Sequence, residues 1–170
     1  MADKRRFDHF ADFLCERFPD ARRIFDVAGG MGRLNEALTA RGREVTTFDV
    51  RHKHLPVRFE ERIFTLDEPC ETDLVVGLHA DGATRIIIEY AGVHRVPFAV
   101  VPCCSDNSMP YKPWMRHLAD LARAQRLEVE EATLPMAGRA RILFGRPDLS
   151  PPSLEPRDTS SCASTQNSRS

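Results

Sequence analysis

The chain switches between two hydrophobic periods along most of its length, and this alternation limits its fold more than any other feature. Short apolar runs recur: Arg23-Ile24-Phe25-Asp26-Val27, Val45-Thr46-Thr47-Phe48-Asp49, Arg62-Ile63-Phe64-Thr65-Leu66, Asp73-Leu74-Val75-Val76-Gly77-Leu78-His79 and Pro97-Phe98-Ala99-Val100-Val101. Each reads as a short buried strand. Helical spacing appears among them. One helix runs from the glycine-rich turn after Val27 to about Arg41, where Gly42 supplies a left-handed cap. A second spans 80–94, with Ala83, Ile86, Ile87, Tyr90 and Ala91 on one stripe; a third spans 114–125, with Trp114, Leu118, Leu121 and Ala122 inward. Strands alternating with helices imply an α/β fold whose parallel sheet is covered on both faces. The last two strand-like runs, 127–134 and 139–145, are joined through Pro135 and Gly138. That connection is too short for a crossover helix, so the pair should close the sheet as an antiparallel hairpin, giving seven strands.

The ends are different in character. Residues 3–18 place Phe7, Phe10, Phe13, Leu14 and Phe18 on one helical stripe, stopped by Pro19-Asp20. Residues 1–19 are therefore expected to form a helix packed on a core domain of 20–147. From 148 to 170 the chain holds proline, serine and threonine with few bulky apolar groups. Such a segment cannot bury enough surface to offset the entropy of ordering, and a disordered tail is expected.

A loop with chemical content follows the first strand: Asp26-Val27-Ala28-Gly29-Gly30-Met31-Gly32. Glycines there let the backbone turn sharply and approach a ligand, and the following helix aims N–H donors at it. Asp49 comes twenty-three residues after Asp26, at the end of the second strand. A carboxylate there can accept the hydroxyls of a ribose. The alternative is a plain turn beside two solvated strand-end acids. The dinucleotide pattern G-x-G-x-x-G fits poorly, because counting from Gly30 gives Gly32 and then Asn35 at the last position.

Here the sequence resembles the class I S-adenosylmethionine (SAM)-dependent methyltransferases, whose first motif is an acid, a hydrophobic residue and G-x-G-x-G. Asp26 stands as the acid, Ala28 replaces the first glycine, and Gly30 and Gly32 match the others. The resemblance covers about residues 20–146. It implies a three-layer Rossmann-like fold with strand order 3-2-1-4-5-7-6 and strand seven antiparallel. It also implies SAM as cofactor. Asp26 would face the methionine amino group, directly or through water. The backbone from Ala28 through Gly29, Gly30 and Met31 to Gly32 would flank the methionine part, Asp49 would hold the ribose, and Val50 would pack on adenine. Asp67, after the third strand, would meet the adenine amino group.

Strand four ends in Gly77-Leu78-His79-Ala80-Asp81-Gly82-Ala83-Thr84, and strand five in Pro102-Cys103-Cys104-Ser105-Asp106. In an open parallel sheet these carboxyl ends line the ligand crevice. The pairing is similar to methyltransferase-like families with G-L-H-x-C-G or H-L-C-G after strand four and P-C-C after strand five, among them tRNA 2′-O-methyltransferases and poorly characterised proteins. The D/N-P-P-Y motif of amino-nitrogen methyltransferases is absent. Leu78 and His79 would border the cofactor. His79 is the candidate general base, its ordinary pKa lying near neutrality; Asp81 or Asp106 would orient it or the substrate. The rival reading makes His79 a strand-end histidine bonded to backbone. Cys103 and Cys104 point to opposite faces if they continue a strand, which suits packing better than metal binding. Arg51-His52-Lys53-His54 and Arg58 form either a phosphate-attracting loop or a solvated one. Residues 109–114, from Met109 to Trp114, form either a lid or the start of a helix.

Composition narrows the function. Net charge is −1, so there is no footprint for non-specific nucleic-acid binding and DNA is not indicated. No apolar run approaches the roughly 20 residues of a membrane helix, and the N-terminus lacks the apolar stretch of a secretory signal, so a cytoplasmic protein is expected. Five cysteines without a C-x-x-C pair indicate neither a disulfide framework nor a common zinc site, and no metal is expected. The expectation is a SAM-dependent methyltransferase with a small-molecule or RNA acceptor. The alternative is a non-catalytic SAM-binding module on the same fold, with a protein partner completing the acceptor site.

Overall fold

The computed structural model describes residues 5–102 and 109–150. The expectations for Cys103, Cys104, Ser105 and Asp106, and for the tail beyond residue 150, lie outside them. The elements run α1 (Arg6–Arg17), β1 (Arg23–Val27), α2 (Arg33–Thr39), β2 (Glu44–Asp49), β3 (Phe59–Glu61), β4 (Leu74–Leu78), α3 (Thr84–His94), β5 (Phe98–Val101), α4 (Tyr111–Ala124), β6 (Leu127–Thr133) and β7 (Arg141–Pro147). One seven-stranded sheet has the order β3-β2-β1-β4-β5-β7-β6. β7 pairs antiparallel with both β5 and β6; the other pairings are parallel. This is the Rossmann-like methyltransferase sheet expected from the sequence.

Two apolar cores lie on opposite faces of the sheet, because successive strand residues point to opposite sides. Phe25, Phe48, Phe64 and Tyr90 meet on the α3/α4 face, with edge-on ring contacts of 5.0 Å (Phe25–Phe48) and 5.1 Å (Phe48–Phe64). Burying each such side chain contributes roughly 1.5–3 kcal/mol. Ile24, Val45, Leu74 and Val76 face the other way, against Leu34 and Leu38 of α2 and Phe10, Ala11 and Leu14 of α1. The phenylalanine stripe of α1 is thus core, and Phe13 also packs edge-on to Phe144 of β7 at 5.1 Å. Arg41 ties α1 to α2 through Asp12 (2.7 Å) and Asp8 (3.2 Å).

The third strand departs from expectation. It is Phe59–Glu61, three residues ahead of the apolar run at 62–66, and it pairs Thr47 with Phe59 and Asp49 with Glu61. Ile63 is 71% exposed, and Phe64 alone enters the aromatic cluster. The run looked like a strand because one buried ring and one exposed aliphatic side chain stand together. The true strand sits on the sheet edge, where the glutamates of Phe59-Glu60-Glu61 remain solvated. Helix boundaries also move. α3 starts at Thr84 after a turn closed by Ala83 N–H to Ala80 O (3.1 Å). α4 starts at Tyr111, with Pro113 in its first turn, where its missing N–H is not needed. No helix among the described residues is long and apolar enough to cross a membrane.

Candidate active site

In this strand order the chain reverses its direction of travel between β1 and β4, the position where open α/β sheets bind ligands. A cleft of about 440 Å³ opens there, at the carboxyl ends of β1, β2 and β4. Ala28, Gly29, Gly30 and Met31 form its floor, Asp49, Val50 and Arg51 one wall, Leu78, His79 and Asp81 the other. Arg6 and Phe7 of α1 close the side, and Arg33 of α2 reaches the mouth.

The floor is shaped by backbone geometry. Gly30 (φ 63°) and Gly32 (φ 82°) occupy the left-handed region that disfavours side chains. Ala28 also sits there, at φ 52°, where the glycine of the motif would be unstrained. A Cβ on Gly30 would meet nothing within 4 Å, so the turn presents bare backbone to open space. Gly32 is the N-cap of α2 and faces away from the cleft; a Cβ there would lie 2.7 Å from Val57 Cγ2. The 50–58 loop braces the turn, with Leu55 N–H donating to Met31 O at 2.9 Å. That loop is held by His52 and His54, whose Nδ1 and Nε2 lie 2.9 and 3.2 Å from Glu61 and hold its carboxyl below the usual range. Asn35 fastens α2 to β2, its Nδ2 donating to Val45 O, Thr47 Oγ1 and Arg58 O, each at 3.1 Å.

Asp49 accepts hydrogen bonds from Gly30 N–H at 2.8 Å and Arg51 N–H at 3.0 Å, one on each oxygen. A carboxylate offers about four acceptor sites, so acceptor capacity remains on both oxygens for neighbouring hydroxyls. Val50 is 59% exposed and gives the same wall an uncovered apolar surface.

Asp26 is not part of the wall. It is fully buried beneath Gly29, where a Cβ would lie 2.1 Å from Asp26 Oδ2. Thr47 Oγ1 donates to that oxygen at 3.1 Å, while Oδ1 has no partner. Burial pushes the carboxyl up to about 7; the Thr47 bond opposes the shift and nearby Asp49 adds to it. Asp26 therefore lies beneath the turn and does not line the cleft. Asp67 is further off. It lies on an exposed turn beside Leu66, whose carbonyl accepts from His94 at the far end of α3. With β3 ending at Glu61, position 67 falls after the chain has already turned back toward the end of the sheet away from the cleft, beside the C-terminus of α3.

The β4 wall carries the other polar chemistry. Gly77 lets α3 seat closely on β4: a Cβ there would fall 2.5 Å from Ile87 Cδ1. Two residues on, His79 takes a left-handed backbone (φ 54°), and its N–H donates to Val101 O of β5 at 2.8 Å. The imidazole Nδ1 is buried with no partner, leaving Nε2 as the accessible nitrogen. Burial, and then the positive charges of Arg6 and Arg139, hold its pKa below the ordinary histidine value. His79 is therefore neutral at pH 7, with a lone pair available. Asp81 is exposed at the rim. Among the described residues, no group of three His, Cys, Asp or Glu side chains converges to hold a metal ion.

Sequence reasoning thus brought Ala28, Gly29, Gly30, Asp49, Val50, Leu78, His79 and Asp81 to one cleft. Met31 lay inside the recognised turn. It missed Arg6, Phe7 and Arg33. Nothing local marks Arg6 and Phe7, which arrive only because α1 docks beside α2.

No protein-family model matches the chain, and no curated protein matches it in sequence. Solved structures do match. One is the 1,6-didemethyltoxoflavin-N1-methyltransferase of Burkholderia thailandensis, with its namesake compound and S-adenosylhomocysteine bound. It is 16% identical with a TM-score of 0.59, over 85% of this chain and 79% of that one. A SAM-bound amino pentose methyltransferase of Micromonospora echinaspora is 15% identical with a TM-score of 0.61, over 82% and 89%. Human N-acetylserotonin methyltransferase in complex with SAM is 15% identical with a TM-score of 0.55, over 84% of this chain and 51% of that one. At these identities the likeness establishes a shared fold.

Proposed function

We propose that this protein is a SAM-dependent methyltransferase acting on a small-molecule acceptor. One observation carries the reading: the bare glycine turn and Asp49 face His79 across a single cleft at the crossover of a methyltransferase sheet. The fold neighbours hold SAM or S-adenosylhomocysteine and include enzymes of small molecules and amino sugars, which supports the same assignment.

The residues suit this cofactor. Gly29, Gly30 and Met31 offer backbone to the methionine portion, with no side chain at Gly30 to obstruct it. Asp49 has acceptor capacity left for the ribose hydroxyls, and Val50 offers apolar surface to the adenine. Bound there, SAM would supply a methyl group on an electrophilic sulfonium. Leu78 and Phe7 would help exclude water from this space. His79, neutral at rest, would take the proton that an acceptor O–H or N–H releases, through its accessible Nε2. Positioned general bases contribute about 10²–10⁴-fold to such steps. Asp81, at the rim, would orient the acceptor or the imidazole.

Isothermal titration with SAM, S-adenosylhomocysteine and NAD tests the assignment. Saturable heat from the first two is expected. Binding of NAD with silence from both adenosyl compounds would remove it.

A further inference from the structure

We propose that the acceptor carries an anionic group, a carboxylate or a phosphate, held between the guanidiniums of Arg6 and Arg139 on either side of His79. The inference rests on the methyltransferase reading and names its substrate class.

Three elements from distant parts of the chain meet here. Arg6, on α1, lines the cleft together with His79. Arg139 belongs to the turn between β6 and β7, closed by Leu134 N–H to Ala140 O at 2.8 Å. β7 pairs with β5, and the last residue of β5 accepts the His79 N–H, so that turn stands beside His79 on the side away from the glycine floor. Both positive charges act on the imidazole.

Each guanidinium is also set in place by an aromatic ring. The Arg6 guanidinium carbon lies 4.6 Å from the centre of the Phe7 ring, and that of Arg139 lies 4.2 Å from the centre of the Tyr111 ring. Stacking leaves the edge of a guanidinium, where its N–H donors point, open to a ligand. Among the described residues neither arginine forms an ion pair, whereas Arg23, Arg41 and Arg62 all find carboxylates. The chain has 25 acidic residues against 24 basic ones, so counter-ions are not scarce. Two cations whose charges both act on one imidazole repel each other, and an anion between them turns that repulsion into attraction. Guanidinium forks match the paired oxygens of carboxylate and phosphate. A neutral acceptor would leave both donors unused.

The test is a titration of the full chain, labelled with ¹³C-histidine, with sodium benzoate, inorganic phosphate and neutral benzamide. The His79 signal is identified through His79→Asn. Benzoate or phosphate is expected to shift that signal saturably and to raise its titration midpoint, while benzamide does neither. The anion that saturates at the lower concentration identifies the group carried. Arg139→Ala, on an exposed turn, is expected to weaken anion binding about tenfold, as loss of a charge-assisted bond does, and to leave S-adenosylhomocysteine affinity unchanged. The circular dichroism of this variant checks that it folds. Absence of a saturable shift with either anion, or a shift that survives Arg139→Ala, overturns the inference. The two readings fail separately: S-adenosylhomocysteine binding without anion binding removes the anion site, and anion binding without S-adenosylhomocysteine binding removes the methyltransferase assignment.

Discussion

The two walls of the cleft are built to opposite rules. On the β1–β2 side the polar groups are tied into the protein, although Asp26 Oδ1 has no partner and Asp49 keeps acceptor capacity. Asp49 takes two backbone N–H groups, and Asn35 locks α2 to β2 and to Arg58 ahead of β3. On the β4 side His79 keeps a buried nitrogen with no partner, under the positive charge of Arg6 and Arg139, neither of which forms an ion pair among the described residues. Yet both walls pivot on the same irregularity, a side-chain-bearing residue in the left-handed region: Ala28 at φ 52° and His79 at φ 54°. Such a conformation costs about 1–2 kcal/mol for an L-residue. The comparison teaches a division of labour. One wall is rigid before any ligand arrives; the other leaves its hydrogen-bonding capacity for the ligand to complete.

The sharpest way to break the comparison is His79→Asn. Asparagine tolerates positive φ, so the turn survives while the base is lost. Turnover, read as release of S-adenosylhomocysteine with a carboxylate- or phosphate-bearing acceptor, is expected to fall at least about 100-fold, with cofactor affinity little changed. Equal turnover would make His79 a structural residue.

Asp26, sealed beneath the turn that carries the floor, is tested through pH. Its carboxyl titrates near 7 in the folded chain, above the ordinary value of 3.8, so the folded state retains a proton that the unfolded state has released. Stability therefore falls as pH rises from about 4 to about 7, by a few kcal/mol at most, and then levels off. Asp26→Asn, a neutral stand-in, removes this slope. Urea unfolding of both proteins at pH 5 and pH 8 measures the difference, and parallel behaviour would place the buried charge elsewhere.

Asp49→Ala removes charge-assisted bonds and releases Gly30. A loss of about 1.5–3 kcal/mol in S-adenosylhomocysteine binding is expected by calorimetry. The smallest effect belongs to Ala28→Gly. It relieves left-handed strain but increases the freedom of the unfolded chain, for a net stabilisation of about 0.5–1 kcal/mol in thermal or urea unfolding. Destabilisation there would mean that the Ala28 methyl group contributes packing that outweighs its strain.

What the sequence revealed follows the range of the interactions concerned. The β1 turn and Asp49 were legible because a tight turn and a strand-end acid are local, contiguous features. The parallel sheet followed from alternation and the closing hairpin from the short 134–140 connection, while the strand order came from the resemblance to methyltransferases. β3 was misplaced because edge strands are polar: Phe59-Glu60-Glu61 carries no buried periodicity, while Ile63-Phe64 imitates it. Asp26 was legible as an acid but not as a buried one, since its sealing depends on how closely Gly29 covers it. Arg6 and Arg139 lie 73 and 60 residues from His79 in sequence, and only docking of α1 and pairing of β7 bring them near.

The contribution of α1 to the cleft has a practical meaning for how such a protein diversifies. The helix grips the body through Phe10, Ala11 and Leu14, all essentially inaccessible to solvent, while Arg6 and Phe7 project into the cleft. Anchor and contact are separate positions on one short stretch of chain. Phe7 also packs against the core on this face, so position 6 is the one that can be exchanged without disturbing the scaffold, and a library randomised there alone would sample new molecular tastes on an unaltered engine.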